Sequence, residues 1–290
     1  YASGGGIYMH SSNCNITKST ISSNTCAKEG GGIYAYGGSI VIDSTNIINN
    51  NTNIADSPDQ PHGGGMHTNM SDVNISNSII RLNQSGRGGG LDINSSDVTP
   101  NTLIINTTLI ANNLATEYGG GGICFNTSDP TIDRVTIAGN TSNYDEGGDA
   151  IIAWNSASLV ISNSIILGDL VHMNPTQGDF NINYSLIENG WAGTGNIDSD
   201  PLFVDPNNGN YHLTYFDSET FCDNPWIDPE EGSARGFRCL FAGYPDGGYA
   251  GTGSELDYAK VGISISLQPF VQSSSLFIGS LGIPFPVGKH

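Results

Sequence analysis

The sequence predicts an all-β fold, a parallel β-helix in which short strands coil into a rod. Two observations predict it: a glycine triplet recurs along the chain, and an asparagine follows each triplet at a fixed distance. Glycine triplets and β-branched runs disfavour helix, and a fixed internal period is typical of solenoids. Measured from the apolar residue after the glycines, the spacing is seventeen in four copies: Ile7 to Asn24, Ile33 to Asn50, Met66 to Asn83 and Ile123 to Asn140. Leu91 to Asn113 has the same layout with five residues inserted, and Ile151 reaches Asp169 after one insertion.

A second block inside each repeat predicts the core. It begins at an isoleucine, carries a second isoleucine five residues later and ends at the asparagine: Ile16–Asn24, Ile42–Asn50, Ile75–Asn83, Ile105–Asn113, Ile132–Asn140 and Ile161–Asp169, with a looser copy from Ile182. Three short strands joined by turns suit a coil of this length. We expect about seven coils, with one inward aliphatic column made of Ile21, Ile47, Ile80, Ile110, Ile137 and Ile166.

The repeated asparagines predict a hydrogen-bonded ladder at one corner of the coil. Stacked asparagine side chains can bond from one strand layer to the next through their amides. The expected ladder residues are Asn24, Asn50, Asn83, Asn113 and Asn140.

Composition limits the partners. Nine Lys and Arg residues against 28 Asp and Glu give a formal net charge of −19, which argues against nucleic acid and against insertion into or binding to anionic membranes. No stretch has the pattern of a signal peptide or a lipid-spanning helix. The sequence starts inside the first coil, so we expect a mature product or a portion of a longer protein.

The five cysteines lack a C-x-x-C pair, which disfavours a zinc site. Cys222 and Cys239 bracket a loop rich in Pro, Gly and Asp, and are the preferred disulfide pair. Cys14 with Cys26 is the weaker alternative, which leaves Cys124 as the odd thiol.

The Gly-Gly-Gly-Ile and Ile-x-x-Asn phrases resemble the GGAI and FxxN repeats of polymorphic outer-membrane proteins. The stretch from Gly195 to Pro206, with Tyr211-His212-Leu213, is similar to the closing coil of secreted bacterial β-helix proteins. The resemblance implies a right-handed parallel β-helix over residues 1–214 and an extracellular or cell-surface location. These proteins include adhesins, passenger domains, lyases and structural proteins, so the resemblance does not select a function.

Two further segments follow the predicted β-helix. Residues 215–250 form an irregular, loop-rich extension containing the preferred disulfide, and residues 251–290 form an apolar β-tail. Either the tail caps the last coil, or it pairs with a neighbouring subunit. The second hypothesis predicts a head-to-tail filament. The tail residues expected to mediate either contact are Ile263, Ile265, Leu267, Phe270, Phe277, Ile283 and Phe285.

Sequons predict glycosylation on one outward column. Asn69, Asn94 and Asn126 each lie three residues beyond an inward apolar residue, so strand alternation turns them outward on consecutive coils. Ladder sequons such as Asn50 are expected to be buried instead. The remaining candidates are Asn15, Asn74, Asn106 and Asn183.

A catalytic alternative uses the column one residue beyond the glycine block. His67 and Asp92 are expected to be neighbours across one coil step, with Arg87 close in sequence, which suits a polysaccharide lyase or glycoside hydrolase. A single carboxylate argues against hydrolysis, which generally needs two. We therefore expect this column to be a solvated polar face rather than an active site. No cofactor is required, although calcium is a candidate for two acidic turns formed by Asp145, Glu146, Asp149, Asp198 and Asp200.

The sequence therefore favours a non-enzymatic, extracellular structural or adhesive module, in filament or fibril form and carrying glycans. Its expected partners are other copies of itself or a neighbouring surface protein, with carbohydrate either attached or bound. The alternatives are the carbohydrate-active enzyme and a passenger fragment of a larger adhesin.

Overall fold

The computed structural model describes residues 3–52, 61–95, 101–155, 157–173 and 179–213, and the backbone of four short strands farther along. The described part is all-β and mostly parallel, as predicted. Its helical content among these residues is one 3-10 turn at Pro206–Asn208. The strands lie in curled, stacked sheets that are consistent with a parallel β-helix.

Two sequential strand columns form the largest sheet, which has 12 strands. Two 11-residue strands, Ile7–Thr17 and Ile33–Asp43, run through both columns. The first column, which follows the glycine blocks, continues with Met66–Asn69, Leu91–Asn94, Ile123–Asn126, Ile151–Trp154 and Leu170–His172. The second continues with Asp72–Ser76, Leu103–Asn106, Thr131–Asp133, Leu159–Ser162 and Phe180–Asn183.

Two further parallel sheets complete the coils. The third column is a seven-stranded sheet of Thr20–Ser22, Asn46–Ile48, Ile79–Arg81, Leu109–Ala111, Thr136–Ala138, Ile165–Ile166 and Leu186–Ile187. The fourth is a five-stranded ladder of Thr25–Cys26, Asn51–Thr52, Gln84–Ser85, Leu114–Ala115 and Thr141–Ser142.

The predicted isoleucine column is present in register. Ile47 pairs with Ile80 and Ile80 with Ile110, and all three are fully buried. Ile21 precedes them, and Ile137 and Ile166 follow in the same column. Because every coil contributes an aliphatic side chain at the same place, the core is continuous through the described coils.

The asparagines of the repeat lie in one column and are joined through their side chains. Asn83 Oδ1 accepts hydrogen bonds from the backbone and side-chain nitrogens of Asn50 at 2.9 and 3.0 Å. Its Nδ2 donates to Asn113 Oδ1 at 3.0 Å and to the carbonyl of Ile47 at 2.9 Å. Asn24 and Asn140 form the ends of this ladder. The amide of Asn83 is therefore fully satisfied although it is buried.

The spacing between glycine and asparagine has a steric cause. A Cβ on the third glycine of a triplet would lie only 2.9 to 3.1 Å from the amide group of the ladder asparagine in the same coil. At Gly65 the neighbouring atom is Asn83 Nδ2. Glycine at this place leaves room for the asparagine, so the two residue types repeat together.

The end of the predicted β-helix differs from the expected closing coil. Ile197 still bridges to Leu186 in parallel. Then Phe203–Asp205 and Asn210–Leu213 form an antiparallel pair that folds back against the outer side of the third column. There Tyr211 packs with Leu109 and donates a hydrogen bond from its hydroxyl to Asn112 Oδ1 at 2.7 Å.

The cysteine predictions have different outcomes. Cys14 and Cys26, the weaker predicted pair, are free thiols. Cys14 pairs with Ile40 in the second column, whereas Cys26 pairs with Thr52 in the fourth, so they lie on different sides of the coil. Cys26 Sγ donates to the carbonyl of Glu29 at 3.2 Å. Cys222 and Cys239 lie outside the described residues.

Parts of the predicted apolar tail form short antiparallel pairs. Phe237–Arg238 pairs with Ser266–Leu267, and Ser275–Ile278 pairs with Ile283–Pro286. These strands contain the tail residues Leu267, Phe277, Ile283 and Phe285. Ile263, Ile265 and Phe270 lie outside the described residues. No helix in the described part of the chain is long and apolar enough to span a bilayer.

Candidate functional site

The outward column of the first strand set is buried along most of its length. Tyr8, Tyr34, His67, Asp92 and Cys124 pair in that order from coil to coil. Tyr8 is 58% exposed, but His67 and Asp92 are only 2% and 0% exposed. A solvated polar face was the expectation for this column, so its burial needs a covering layer.

A second column supplies that layer. Ser3, Glu29, His62 and Arg87 bridge one another in parallel, and each lies four residues before the apolar residue of its block. The intervening first glycine turns the chain in the left-handed region, with φ of 61° at both Gly63 and Gly88. This turn reverses the direction of the chain. The residue before the turn therefore lies over the outer side of the strand that follows it, with His62 over His67 and Arg87 over Asp92.

The carboxylate of Asp92 is the centre of the resulting cluster. Its Oδ2 is 2.7 Å from His62 Nδ1 and accepts from Arg87 Nε at 2.9 Å. Arg87 also donates to Asp92 Oδ1 and to Asn94 Oδ1, both at 3.3 Å. His67 Nδ1 is 3.8 Å from Asp92 Oδ2, too far for a hydrogen bond. That buried nitrogen has no hydrogen-bond partner.

The charges of the cluster follow from burial and proximity. Burial alone raises the pKa of Asp92, but Arg87 and the two histidines outweigh it and hold the pKa below its usual value. Burial lowers the pKa of Arg87, but Asp92 raises it further, so the net pKa is above the ordinary one. Burial lowers the pKa of His67 to about 4, against the attraction of Asp92. Near neutral pH the cluster is thus an Arg–Asp ion pair beside a neutral imidazole.

Aromatic rings continue the cluster along the rod. His67 stacks on Tyr34, whose centroid lies 5.6 Å away, and Tyr34 stacks on Tyr8 at 5.3 Å. His62 lies tilted against His67 at 5.2 Å. Burial and the neighbouring carboxylate of Glu29 raise the pKa of Tyr34 to about 12, so its phenol stays neutral. A parallel stack of His10 on Tyr36 lies in the adjacent outward column, with centroids 5.0 Å apart.

The structure brings together all three residues of the predicted catalytic alternative, His67, Asp92 and Arg87. It also adds His62, which the sequence analysis missed. His62 holds the same place in its repeat as Arg87, four residues before the apolar residue. This shared position is the sequence signal from which His62 could have been predicted.

The predicted glycosylation column is stacked as its spacing implies. Asn69 pairs with Asn94 and Asn94 with Asn126, and all three are half-buried. The Oδ1 of Asn126 accepts from Asn155 Nδ2 at 2.5 Å. The other candidate sequons lie elsewhere: Asn15 and Asn74 exposed, Asn106 and Asn183 half-buried. The ladder sequons Asn50, Asn83 and Asn140 are buried and closed to modification in the folded chain.

The calcium candidates do not converge. Asp145, Glu146, Asp198 and Asp200 are exposed, and Asp149 Oδ1 accepts from the backbone nitrogen of Ser142. Among the described residues, the one group of three His, Cys, Asp or Glu side chains with ligand atoms close together is His62, His67 and Asp92.

No family model matches this sequence, and no curated protein or solved structure gives a significant match to it. The functional interpretation therefore depends on the geometry described above.

The low pKa of His67 predicts that the stability of the protein falls in mild acid. Its pKa of about 4 in the folded state lies below the ordinary value of about 6.5. The unfolded chain therefore takes up a proton first as pH falls. The groups facing His67 are Asp92, His62, Glu29 and Arg87. We expect the free energy of unfolding to fall by about 2 kcal/mol between pH 7.5 and pH 5, a window above most carboxylate titrations.

Urea denaturation at the two pH values measures this change. The variant His67→Gln removes the titrating group and should flatten the pH dependence, whereas His10→Gln, on an exposed ring, should keep it. An unchanged slope in His67→Gln would contradict the assignment.

Proposed function

We propose that this chain is an extracellular structural or adhesive module built on a right-handed β-helix of about seven coils. In this proposal residues 1–214 are the rod, residues 215–250 a disulfide-containing extension and residues 251–290 a tail for capping or assembly. The observation that carries it is the unbroken asparagine ladder, whose members bond from coil to coil between Asn24 and Asn140. A continuous ladder with a continuous aliphatic core resists bending, which suits a mechanical or display role.

The buried cluster supports this proposal over the enzyme alternative. A glycosidase needs two carboxylates flanking a substrate, whereas the ion pairs of this cluster converge on Asp92, which is 0% exposed. Its partner Arg87 is held by the same carboxylate, so neither group is available to a sugar. The cluster therefore supports the packing of the coils better than it supports catalysis. The passenger-fragment alternative uses the same rod and differs only in what surrounds it.

Assembly into a filament is the form of this function that we propose. In the described sheets, Ile7–Thr17 and Thr20–Ser22 are outermost at one end, and an outermost strand is a template for another chain. Tyr8 extends the aromatic stack to that end and is largely exposed. We propose another copy of the chain as the partner at this edge, with carbohydrate carried on Asn69, Asn94 and Asn126. We also propose that the chain is a β-helix repeat protein of the bacterial surface type.

Electron microscopy and light scattering of the full chain test the filament. We expect concentration-dependent assembly into rods, because Ile7–Thr17 and Thr20–Ser22 are the outermost strands of the described sheets at this end. Tyr8→Glu places a charge at the edge and should reduce assembly at least tenfold. Val160→Glu is the matched control, because Val160 is 45% exposed on the second column, away from that edge.

A wild-type chain that stays monomeric at every concentration would overturn the filament. Equal loss of assembly in both variants would locate the contact elsewhere. Intact-mass measurement of protein from its native source tests the glycans, which should add mass that is lost when Asn69, Asn94 and Asn126 are replaced by Gln.

A further inference from the structure

The cluster beneath the glycine turns has the donor set of a metal site. We propose that His62, His67 and Asp92 bind one divalent transition-metal ion of the zinc class. The ion would join two coils, since both histidines belong to the block of Met66 and Asp92 belongs to the block of Leu91. Its role would be structural, because His67 and Asp92 are only 2% and 0% exposed.

The distances suit such an ion. One ligand atom from each of the three residues lies within 4.8 Å of the other two. Asp92 Oδ2 is 2.7 Å from His62 Nδ1 and 3.8 Å from His67 Nδ1. Bonds of about 2.0 to 2.2 Å place the ligand atoms of a tetrahedral zinc about 3.4 Å apart. To form the site, the first distance would open and the second would close, each by less than about 1 Å, and the ligand nitrogens of His62 and His67, which lie within 4.8 Å of each other, would approach the same separation.

An unpartnered nitrogen is the second, independent observation. His67 Nδ1 is buried and has no hydrogen-bond partner, a costly state for a polar atom. It is directed toward the carboxylate that His62 already contacts. A metal ion between them would give this nitrogen a partner, and the neutral imidazole has the lone pair that metal ligation requires.

The donor types select the class of ion. Two imidazole nitrogens and one carboxylate oxygen suit zinc, cobalt, nickel or copper, whereas calcium and magnesium prefer sets made of oxygen alone. Three protein ligands leave one position for water.

Arg87 has an orienting role in this site. It holds both oxygens of Asp92, at 2.9 and 3.3 Å, as outer-shell partners of ligating carboxylates do. Its positive charge opposes a second cation, so we expect weaker affinity than in sites whose ligands are thiolates.

Cobalt titration of the full, chelator-treated chain tests the proposal, because Co²⁺ absorbs visibly in a low-symmetry protein site. We expect one equivalent to produce this absorption and Zn²⁺ to abolish it. His62→Gln should lose that equivalent, and His10→Gln, which alters a histidine outside the cluster, should keep it. His62 is chosen because it lies at the edge of the cluster with a partly exposed side chain. Equal absorption in wild type and His62→Gln, or none in wild type, would overturn the site.

A measurement on wild-type protein keeps the test independent of the folding of the variants. The chain has six histidines, and their ring-nitrogen NMR signals can be followed during Zn²⁺ addition. We expect two of the six to change, with slow exchange for His67 because of its burial. Changes confined to other histidines, or no change, would overturn the proposal. Zinc should also raise the midpoint of thermal unfolding of wild type by several degrees but not that of His62→Gln.

Discussion

Gly64→Ala is expected to lower the free energy of unfolding by more than about 3 kcal/mol, enough to prevent folding of a marginal chain. A Cβ at Gly64 would overlap the carbonyl oxygens of Gln84 and Gly89. Both obstacles are backbone atoms, and Gly89 belongs to the next coil, whose glycine block is bonded to that of Gly64. Side-chain rotation therefore cannot relieve the overlap, and the coils would have to separate.

Gly37→Ala is the matched control for this steric effect. Gly37 has φ of 66°, but the nearest atom to a Cβ there would be Ser11 Oγ at 3.6 Å. Only the backbone strain of a left-handed alanine remains, about 1 kcal/mol. Urea denaturation of both variants followed by circular dichroism gives the comparison. Equal destabilisation by the two substitutions would show that stacking of the glycine blocks is not what Gly64 protects.

Asn83→Ala is expected to destabilise the chain by about 3 to 5 kcal/mol. The substitution removes four side-chain hydrogen bonds in a site that is 1% exposed. It leaves the backbone nitrogen of Asn50 without its acceptor and removes one of the two acceptors of Asn50 Nδ2, which keeps the carbonyl of Ile21. It also removes the side-chain donor to the carbonyl of Ile47. Each buried polar group left unsatisfied costs about 1 to 3 kcal/mol, and partial relaxation keeps the total below the sum.

Asn74→Ala serves as the control for Asn83→Ala. Asn74 belongs to the same coil, but its side chain is exposed on the second column. We expect a change of no more than about 0.5 kcal/mol there. If thermal and urea unfolding give the same stability for both variants, the ladder contributes little and the mechanical argument for the rod fails with it.

The sequence predicted the stacked positions well because each coil repeats one local pattern. Ile47, Ile80 and Ile110 lie over one another, since the same number of residues separates each of them from its ladder asparagine. The five extra residues between Leu91 and Asn113 lie outside this block. The strands on either side, Leu91–Asn94 and Leu103–Asn106, keep their register with the preceding coil.

The candidate site was only partly predictable. Strand alternation placed His67 beside Asp92 across one coil step, but it also predicted solvent exposure, whereas both side chains are buried. The missing element is the turn at Gly63 and Gly88, which returns His62 and Arg87 over the strand. A pattern of inward and outward residues describes one strand and contains no information about what covers its outer side.

The hairpin at the end of the rod shows the same limitation. The expected closing coil instead includes an antiparallel pair, with Tyr211 packed on the outer side of the third column. Leu109, Ala111 and Ala138 alternate outward there and provide an apolar surface. The chain can either cover that surface or continue the coil. The contacts that favour covering it join residues about a hundred positions apart, such as Tyr211 and Asn112.

The sequence by itself determined the periodic features of this protein: the all-β parallel class, the aliphatic column and the pairing of glycine with asparagine. These follow from rules that act within one coil, where steric exclusion and strand alternation apply equally to every copy. Only the tertiary structure decided that the acidic, basic and imidazole side chains form a buried cluster, and that Tyr211 packs on the outer side of the third column. The period relates His62 to Arg87 and His67 to Asp92, but it does not show that one column lies over the other, and no repeat relates Tyr211 to Asn112. Both sets of contacts therefore form only when the coils are assembled.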